Sequence, residues 1–301
     1  KGSGVNMNQE KIELEQLYQE YKPLLFSLAY RMLGSVMDAE DIVHESFVTF
    51  EKHKDTKSIT NVKAYLCKIT TNRFIDHLRS AAHKRETYVG TWLPEPIVGD
   101  YHDDPVDSYF MKESISTAYL MLLQQLSEVE RAVFLLREVF QYDYDEIASI
   151  VDKSNTNCRQ IFHRAKKSLV YQPNVYQKED QQLRNYVERF TAALQKGEVS
   201  EMMKLLQKDA VFYADGGGKV AAALKPIYTA ERIIQLFLSV VKKYPKDTVF
   251  NFKKVNGGPG IMVMINGCLA YVVSFEFKEG KIQSIYMVAN PDKLSHLNKD
   301  H

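Results

Sequence analysis

LSEVERAVFLLREVFQYDYDEIASIVDKSNTNCRQIFHRAKKSL, residues 126–169, reads as three helices ending in a helix-turn-helix. The first opens on a capping box: Ser127 accepts from the backbone N–H three residues on, and Glu130 reaches back to the N–H of Ser127. Val129, Val133, Leu136 and Phe140 then recur at helical spacing. A second box, Asp143-x-x-Glu146, starts a short helix carrying Ile147, Ala148 and Val151. Asp152–Ser154 breaks it, and Ser154 is placed to cap the third helix. On that helix Cys158, Phe162, Ala165 and Leu169 form one apolar stripe. The opposite face carries Asn157, Arg159, Gln160, His163, Arg164, Lys166 and Lys167.

That face suits a reader of the DNA major groove. Arg, Gln and Asn bond base edges in pairs, and Lys and Arg neutralise phosphates. The bland alternative is a helical hairpin with a solvated basic face. Over 301 residues the net charge is only +1, low for a free-standing DNA binder, whose non-specific affinity comes from phosphate neutralisation. The basic faces are local and offset by acidic segments, which points to a protein that reads DNA with a larger partner's help.

The length suggests two or three domains, and 45% hydrophobic with 26% charged residues is the range of ordinary globular proteins. No apolar run is long enough to cross a membrane. The polar start KGSGVNMNQEK reads as carrying no secretory signal, with residues 1–6 expected to be a cloning scar ahead of a native Met7. Cys67, Cys158 and Cys268 are scattered and odd in number, each in an apolar pattern. They are expected to be small buried hydrophobes in a reducing cytoplasm, with no disulfide framework and no metal site.

Upstream, a helix is expected over Ile12–Leu33, broken near Tyr21–Lys22 by Pro23 and ended by Gly34. Asp38-Ala39-Glu40-Asp41 opens a second helix, with acidic side chains at the positive end of its dipole. After a polar loop, His53–Thr60, a long helix runs from Val62 to about Ala82. Two edges emerge. Asp38, Glu40, Asp41 and Glu45 are acidic; Arg73, Arg79, Lys84 and Arg85 are basic, beside Asn72 and Asp76.

LAYRMLGSVMDAEDIVHESFVTF, KAYLCKITTNRFIDHLRS and the 126–169 stretch together resemble regions 2 and 4 of extracytoplasmic-function (ECF) RNA polymerase sigma factors, over about the first 170 residues. Tyr88-Val89-Gly90-Thr91-Trp92-Leu93-Pro94-Glu95-Pro96 is similar to the WLPEP linker of the ECF group that carries a fused SnoaL-like C-terminal domain. Asp215-Gly216-Gly217-Gly218-Lys219 and Asn290-Pro291-Asp292-Lys293-Leu294 match two further marks of that group. The resemblance implies that Asp38, Glu40 and Asp41, with Glu45 on the same edge, meet core RNA polymerase. It implies that Asn72, Arg73, Asp76 and Arg79 face the melted minus-10 strand. Asn157, Arg159, Gln160 and His163 would read the minus-35 element, with Arg164, Lys166 and Lys167 mainly on phosphates. The loop KHKDTKSIT identifies no base pocket.

Pro94 and Pro96 favour an extended linker. The acidic run Asp100, Asp103, Asp104 and Asp107 around Pro105 suits either a positive polymerase channel or a solvated tether. Trp92, alone of its kind, is expected to bury against a domain. Past a boundary near Tyr171–Asn174, helices are expected over Leu183–Leu194, Glu201–Leu206 and Glu231–Lys243. Strands are expected at Val211–Ala214, returning through the glycine turn as Val220–Leu224, then at Phe250–Val255, Gly260–Ile265, Cys268–Phe277 and Lys281–Val288. The fold class is therefore multidomain: two all-α sigma domains and an α+β SnoaL-like cone with a curved antiparallel sheet. The expected division is region 2 over 7–85, linker 86–112, region 4 over 113–172 and the cone over 180–297.

The functional expectation is an alternative sigma factor, controlled by its fused C-terminal domain. Its partners would be core RNA polymerase and promoter DNA, with intramolecular contact between the C-terminal and sigma domains. Asp215–Lys219 and the linker motif are expected to touch each other or region 2, and Asn290–Leu294 to dock on the sigma core. No cofactor, membrane, obligatory small molecule or catalytic residue is expected. The competing readings are a one-component helix-turn-helix regulator with a ligand-sensing cone, and a cone enzyme with a vestigial DNA-binding part.

Overall fold

The computed structural model describes residues 3–53, 59, 61–99, 115–169 and 180–298. The acidic run at Asp100–Asp107, most of the loop His53–Thr60, the boundary at Tyr171–Asn174 and the side chains of Lys84 and Arg85 lie outside the described residues. The chain divides into two compact units: Lys1–His83 with Leu122–Val170, and Lys84–Met121 with Tyr171–His301.

The first unit is helical. It holds α1 (Ser3–Leu33), α2 (Val36–His53) and most of α3 (Val62–Glu86). Its second part follows α4 (Thr117–Leu123) and comprises α5 (Glu128–Glu138), α6 (Tyr144–Val151) and α7 (Asn155–Ser168). Leu25, Leu28, Tyr30 and Met32 of α1 are fully buried beside Ala39, Val43 and Phe47 of α2 and Leu66 and Phe74 of α3. Between α2 and α3 the buried Thr70 hydroxyl donates to Ser46 Oγ at 3.1 Å, and Ser46 donates to the Ile42 carbonyl at 2.7 Å, so these two hydroxyls are satisfied where the helices approach. Helix α1 passes through Pro23 without the expected break. The lost hydrogen bond would have used the Gln19 carbonyl. Gln19 is exposed, so water can take that carbonyl, and the buried Leu25–Leu33 face holds the helix directly after the proline.

Both expected capping boxes form, Ser127 with Glu130 and Asp143 with Glu146. Asp152 adopts the left-handed conformation that ends α6, and Ser154 accepts from Asn157 N–H to start α7. Cys158, Phe162, Ala165 and Leu169 are buried, joined by Ile161. Buried Arg131 of α5 donates to the carbonyls of Met32, near the C-terminus of α1, and of Leu126. A cation there favours the negative helix end. Cys67 Sγ and the Tyr142 hydroxyl meet at 3.1 Å. Burial pushes the thiols of Cys67 and Cys158 up, which keeps them neutral. Cys268, expected inside, is exposed: it follows the Asn266-Gly267 turn at the first position of its strand, ahead of the packed part of the sheet.

The second unit is a seven-stranded sheet in the order β1-β4-β5-β6-β7-β2-β3. Its strands are β1 (Val98–Gly99), β2 (Leu206–Asp215), β3 (Ile227–Tyr228), β4 (Val249–Val255), β5 (Gly258–Ile265), β6 (Cys268–Lys278) and β7 (Lys281–Val288). Helices α8 (Asp180–Lys196), α9 (Val199–Leu205) and α10 (Ala230–Val241) share one core with one face of the sheet, including Phe190, Phe212, Ile233, Phe275 and Ile285. The other face packs Val255, Val272, Tyr286 and Val288 around Leu93 of the linker and Leu294 of the short helix α11 (Pro291–Leu294).

Hairpins β4–β5, β5–β6 and β6–β7 turn at Asn256-Gly257, Asn266-Gly267 and Glu279-Gly280, each with two successive positive φ angles. Such turns match the right-handed twist of the strands. The sheet is mixed, not wholly antiparallel, because β2 pairs with β7 in parallel. These two strands are far apart in the chain, so no hairpin dictates their direction. Residues 220–224 form no returning strand; β3 lies further on and pairs Tyr228 with Val211. The Gly216–Lys219 turn is held by contacts to other segments, described below, and leads the chain away from β2 before it can pair.

The capping box at α5 is local and its loss should be measurable. Ser127→Ala is expected to cost about 1 kcal/mol, read as a lower urea midpoint with an unchanged slope. An unchanged midpoint would show that tertiary packing alone sets where α5 begins.

Candidate nucleic-acid interface and linker clasp

Helix α7 exposes Asn157, Arg159, Gln160, His163, Arg164, Lys166 and Lys167 while burying its opposite stripe. Three of the cations are already engaged within the unit. The Arg159 guanidinium lies 4.4 Å from the Tyr144 ring centroid and donates to Asn155 Oδ1 at 2.8 Å. Arg164 donates to Glu130 at 3.0 Å, and Lys166 pairs with Glu138 at 3.1 Å. Burial acts to raise the Glu130 carboxyl, but the Ser127 hydroxyl, the Ser127 backbone N–H and Arg164 outweigh it and hold the carboxyl below its usual range. Glu130 thus serves both a helix cap and a cation on the exposed face of α7.

The acidic edge of α2 and the basic edge of α3 are not separate surfaces. Arg73 pairs with Glu45 and donates to Thr49 Oγ1 at 2.7 Å. His77 lies 3.5 Å from Asp38. Asp76 and Arg79 are neighbours at 3.6 Å, one turn apart on α3. Glu40 and Asp41 stand exposed, and Asn72 is half-buried.

In the second unit the three short motifs converge on one carboxylate. Asp215 is fully buried at the end of β2. Its Oδ1 accepts from the Tyr88 hydroxyl at 2.5 Å and Gly217 N–H at 3.0 Å. Its Oδ2 accepts from Leu93 N–H at 2.8 Å and Lys293 Nζ at 2.7 Å. The buried Lys293 ammonium also donates to the Leu93 carbonyl and sits 3.8 Å from the Trp92 ring centroid and 5.0 Å from that of Tyr88. Burial, then the bond to Asp215, pushes the Tyr88 phenol above its ordinary range and keeps it a donor. Asn290 N-caps α11 and donates to the Tyr88 oxygen at 3.0 Å. His296 donates to the Pro96 carbonyl at 2.9 Å. Lys219 and Asp292 add an exposed pair at 2.5 Å, of a kind that contributes little.

The glycines of the turn follow from this closeness. Gly217 has φ +58°, and a Cβ there would lie 2.2 Å from Asn290 Nδ2; Gly218, at φ +71°, faces Val89. Asn290–Leu294, expected on the sigma core, is thus docked on the linker and the glycine turn.

Several participants are assigned no contact by the sequence alone. Tyr88 and His296 complete the clasp. Asn256, in the β4–β5 turn, accepts from Ile97 N–H at 2.9 Å and donates to Thr117 Oγ1 at 3.0 Å; Thr117 meets Ser274 Oγ at 2.9 Å. The signal available was Asn256-Gly257, a hairpin dipeptide like the one that was read at Asn266-Gly267. Its second use, as an anchor for the linker, has no local signature.

A capped helix-turn-helix with an exposed cationic face, following a helical bundle with charged edges, is an architecture suited to a DNA-binding transcription protein. Residues 17–84 match the Sigma-70 region 2 family and residues 116–169 the Sigma-70, region 4 family. The chain is 31% identical to the ECF RNA polymerase sigma factor SigJ of Mycobacterium tuberculosis, covering 95% of this chain and 93% of that one. It is 26% identical to the probable ECF sigma factor SigI of the same species, covering 94% and 95%. The crystal structure of the M. tuberculosis SigJ superimposes with a TM-score of 0.76 at 27% identity, over 93% of this chain and 98% of that one. The chain belongs to the ECF sigma factors of RNA polymerase, and its function is promoter-specific initiation of transcription.

Lys293→Met leaves a buried carboxylate without its counter-charge and is expected to cost the second unit roughly 3–5 kcal/mol. Asp215→Ala combined with Lys293→Met should cost less than Lys293→Met alone, and urea melts of both variants decide the point. Gly217→Ala should destabilise more than Gly197→Ala. Both glycines have positive φ, but a Cβ at Gly197 meets nothing within 4 Å.

Proposed function

We propose that the sigma activity of this chain is divided among three surfaces and restrained by the clasp. Asn157, Arg159, Gln160 and His163 read the minus-35 element in the major groove, with Arg164, Lys166 and Lys167 on flanking phosphates. Asn72, Arg73, Asp76 and Arg79 face the opened minus-10 strand. Asp38, Glu40, Asp41 and Glu45 bind core RNA polymerase. The observation that carries this reading is α7: seven side chains suited to base edges and phosphates lie exposed on a helix whose other face is buried. The pairs that occupy Arg73, Arg164 and Lys166 are exposed ion pairs worth about 0–1 kcal/mol each, so phosphate can displace the carboxylates.

The C-terminal domain acts as a built-in regulator. With Leu93–Pro96 buried on the sheet and β1 paired to β4, the linker between the two sigma regions is shortened to the part beyond Gly99. Such a restraint limits which separation of promoter elements the two regions can span. The division into region 2, linker, region 4 and cone, action in the cytoplasm, and the lack of a catalytic role complete the proposal. None of the described helices is long and apolar enough to cross a membrane, and the residues lining the cavity of the α+β domain include no carboxylate or imidazole.

Run-off transcription with core polymerase tests it. Gln160→Ala should relax preference at one base pair of the minus-35 element by about 1–3 kcal/mol. Lys167→Ala should weaken all promoters alike and lower the salt slope by about 1. Lys293→Met and truncation after Val288 should change the ratio of initiation between promoters of different spacer length. Unchanged ratios in both would refute control by the clasp, and operator binding without any polymerase-dependent initiation would refute the division of surfaces.

A further inference from the structure

The sheet and helices α8 and α10 line a partly open cavity of about 420 Å3, within the roughly 300–1,000 Å3 range of small-molecule sites. Close-packed interiors leave few voids larger than a water molecule, so a space of this size is a feature of the fold and not a packing defect. Its walls include Phe190, Phe212, Phe237 and Phe275, and no lining residue carries a charge at neutral pH. The Thr191 hydroxyl is committed as donor to the Val187 carbonyl at 2.8 Å. Tyr244 and Tyr271 are the other lining residues with polar side chains, their rings stacked 6.3 Å apart. Burial, then the neighbouring Tyr271, pushes Tyr244 up to about 12, so its hydroxyl stays a neutral donor. A charged guest would lose its hydration here with nothing to replace it.

The wall of the cavity leads directly to the clasp. Ala221, Ala222 and Ala223 line it and follow the Gly216–Lys219 turn in the chain. A Cβ on Gly216 would lie 2.9 Å from Ala222 Cβ, so turn and wall pack without slack. Met287, also in the lining, precedes Val288, the register partner of Asp215.

From these observations we infer that the α+β domain binds one small, uncharged, mainly apolar molecule with a single hydrogen-bonding group in this cavity, and that its occupancy is felt at the clasp through Ala221–Ala223. The coupling rests on the clasp reading above; the binding does not.

The test uses the full chain and N-phenyl-1-naphthylamine, a neutral dye that fluoresces in apolar sites. The dye should bind one to one, and decanol should displace it at about tenfold lower concentration than decanoate. Val263→Phe and Val273→Phe, which fill the cavity, should each weaken dye binding about tenfold in protein that still melts cooperatively. No dye binding to the wild type, equal potency of decanoate, or undiminished binding to a folded filled variant would overturn the site. The contrast between alcohol and carboxylate stands even if the filled variants do not fold. Trp92, the one tryptophan, lies in the clasp and reports on coupling. Saturating decanol should shift its emission in the wild type and not in Val263→Phe. Emission that does not move overturns the coupling alone, whereas failure of the clasp reading itself shows separately, in the transcription ratios of Lys293→Met.

Discussion

A carboxylate with no exposure to solvent must find its hydration inside the protein, and Asp215 does so from three stretches of chain at once. The linker supplies Tyr88 and Leu93, the glycine turn supplies Gly217, and the C-terminal helix supplies Lys293. Every oxygen is used twice. The arrangement is therefore close to all-or-none, because losing one donor leaves the others holding a charge that is no longer compensated. Aromatic rings sharpen it further: Trp92 and Tyr88 flank the Lys293 ammonium and replace water on its remaining sides. The same charges make the clasp specific, since an apolar substitute would hold the linker without fixing its register.

The helical unit uses charge in the opposite way. Its pairs are exposed and weak, and they lie where nucleic acid is expected to bind. Glu130, Glu138 and Glu45 hold Arg164, Lys166 and Arg73 while no phosphate is near. With a net charge of only +1, the chain has little electrostatic pull on DNA in general. Carboxylates paired to those cations lower it further. Buried charge in the clasp and exposed charge pairs on the helical surfaces are thus two uses of the same residue types, separated by their access to water.

Most of what was legible in the sequence was local. The two capping boxes, the α7 stripe and the Asn266-Gly267 hairpin each depend on residues within one turn or one strand pair, and they form as read. The clasp motifs stood out as motifs, but their joint action did not, because Leu93, Asp215 and Lys293 are far apart in the chain and burial of a carboxylate leaves no mark on its neighbours in sequence. The failures have the same origin. Pro23 was read by its local effect, and tertiary packing carried α1 through it. A glycine turn usually closes a hairpin, which is why residues 220–224 look like a return strand; here Asn290 and Val89 pack against the turn. Glu45 and Arg73 were placed on separate edges because spacing along a helix does not say which neighbouring helix it faces.

The parallel pairing of β2 with β7, the part of the fold least visible in the sequence, decides whether the clasp exists. Side chains alternate along β2: Phe212 and Ala214 enter the core shared with the helices, while Tyr213 stacks on Tyr286 on the linker side at 5.2 Å, and Asp215 follows Tyr213 to that side. The register sets Asp215 opposite Val288, and the N–H groups of Ala289 and Asn290 then donate to the Asp215 carbonyl. A slip by one residue would turn the carboxylate into the apolar core beside the cavity, where no donor waits for it. The strand reaches this phase through a register shift between Leu206 and Val211. That irregularity, ahead of the Asp215–Lys219 motif, lets one strand serve an apolar core on one face and a buried charge on the other.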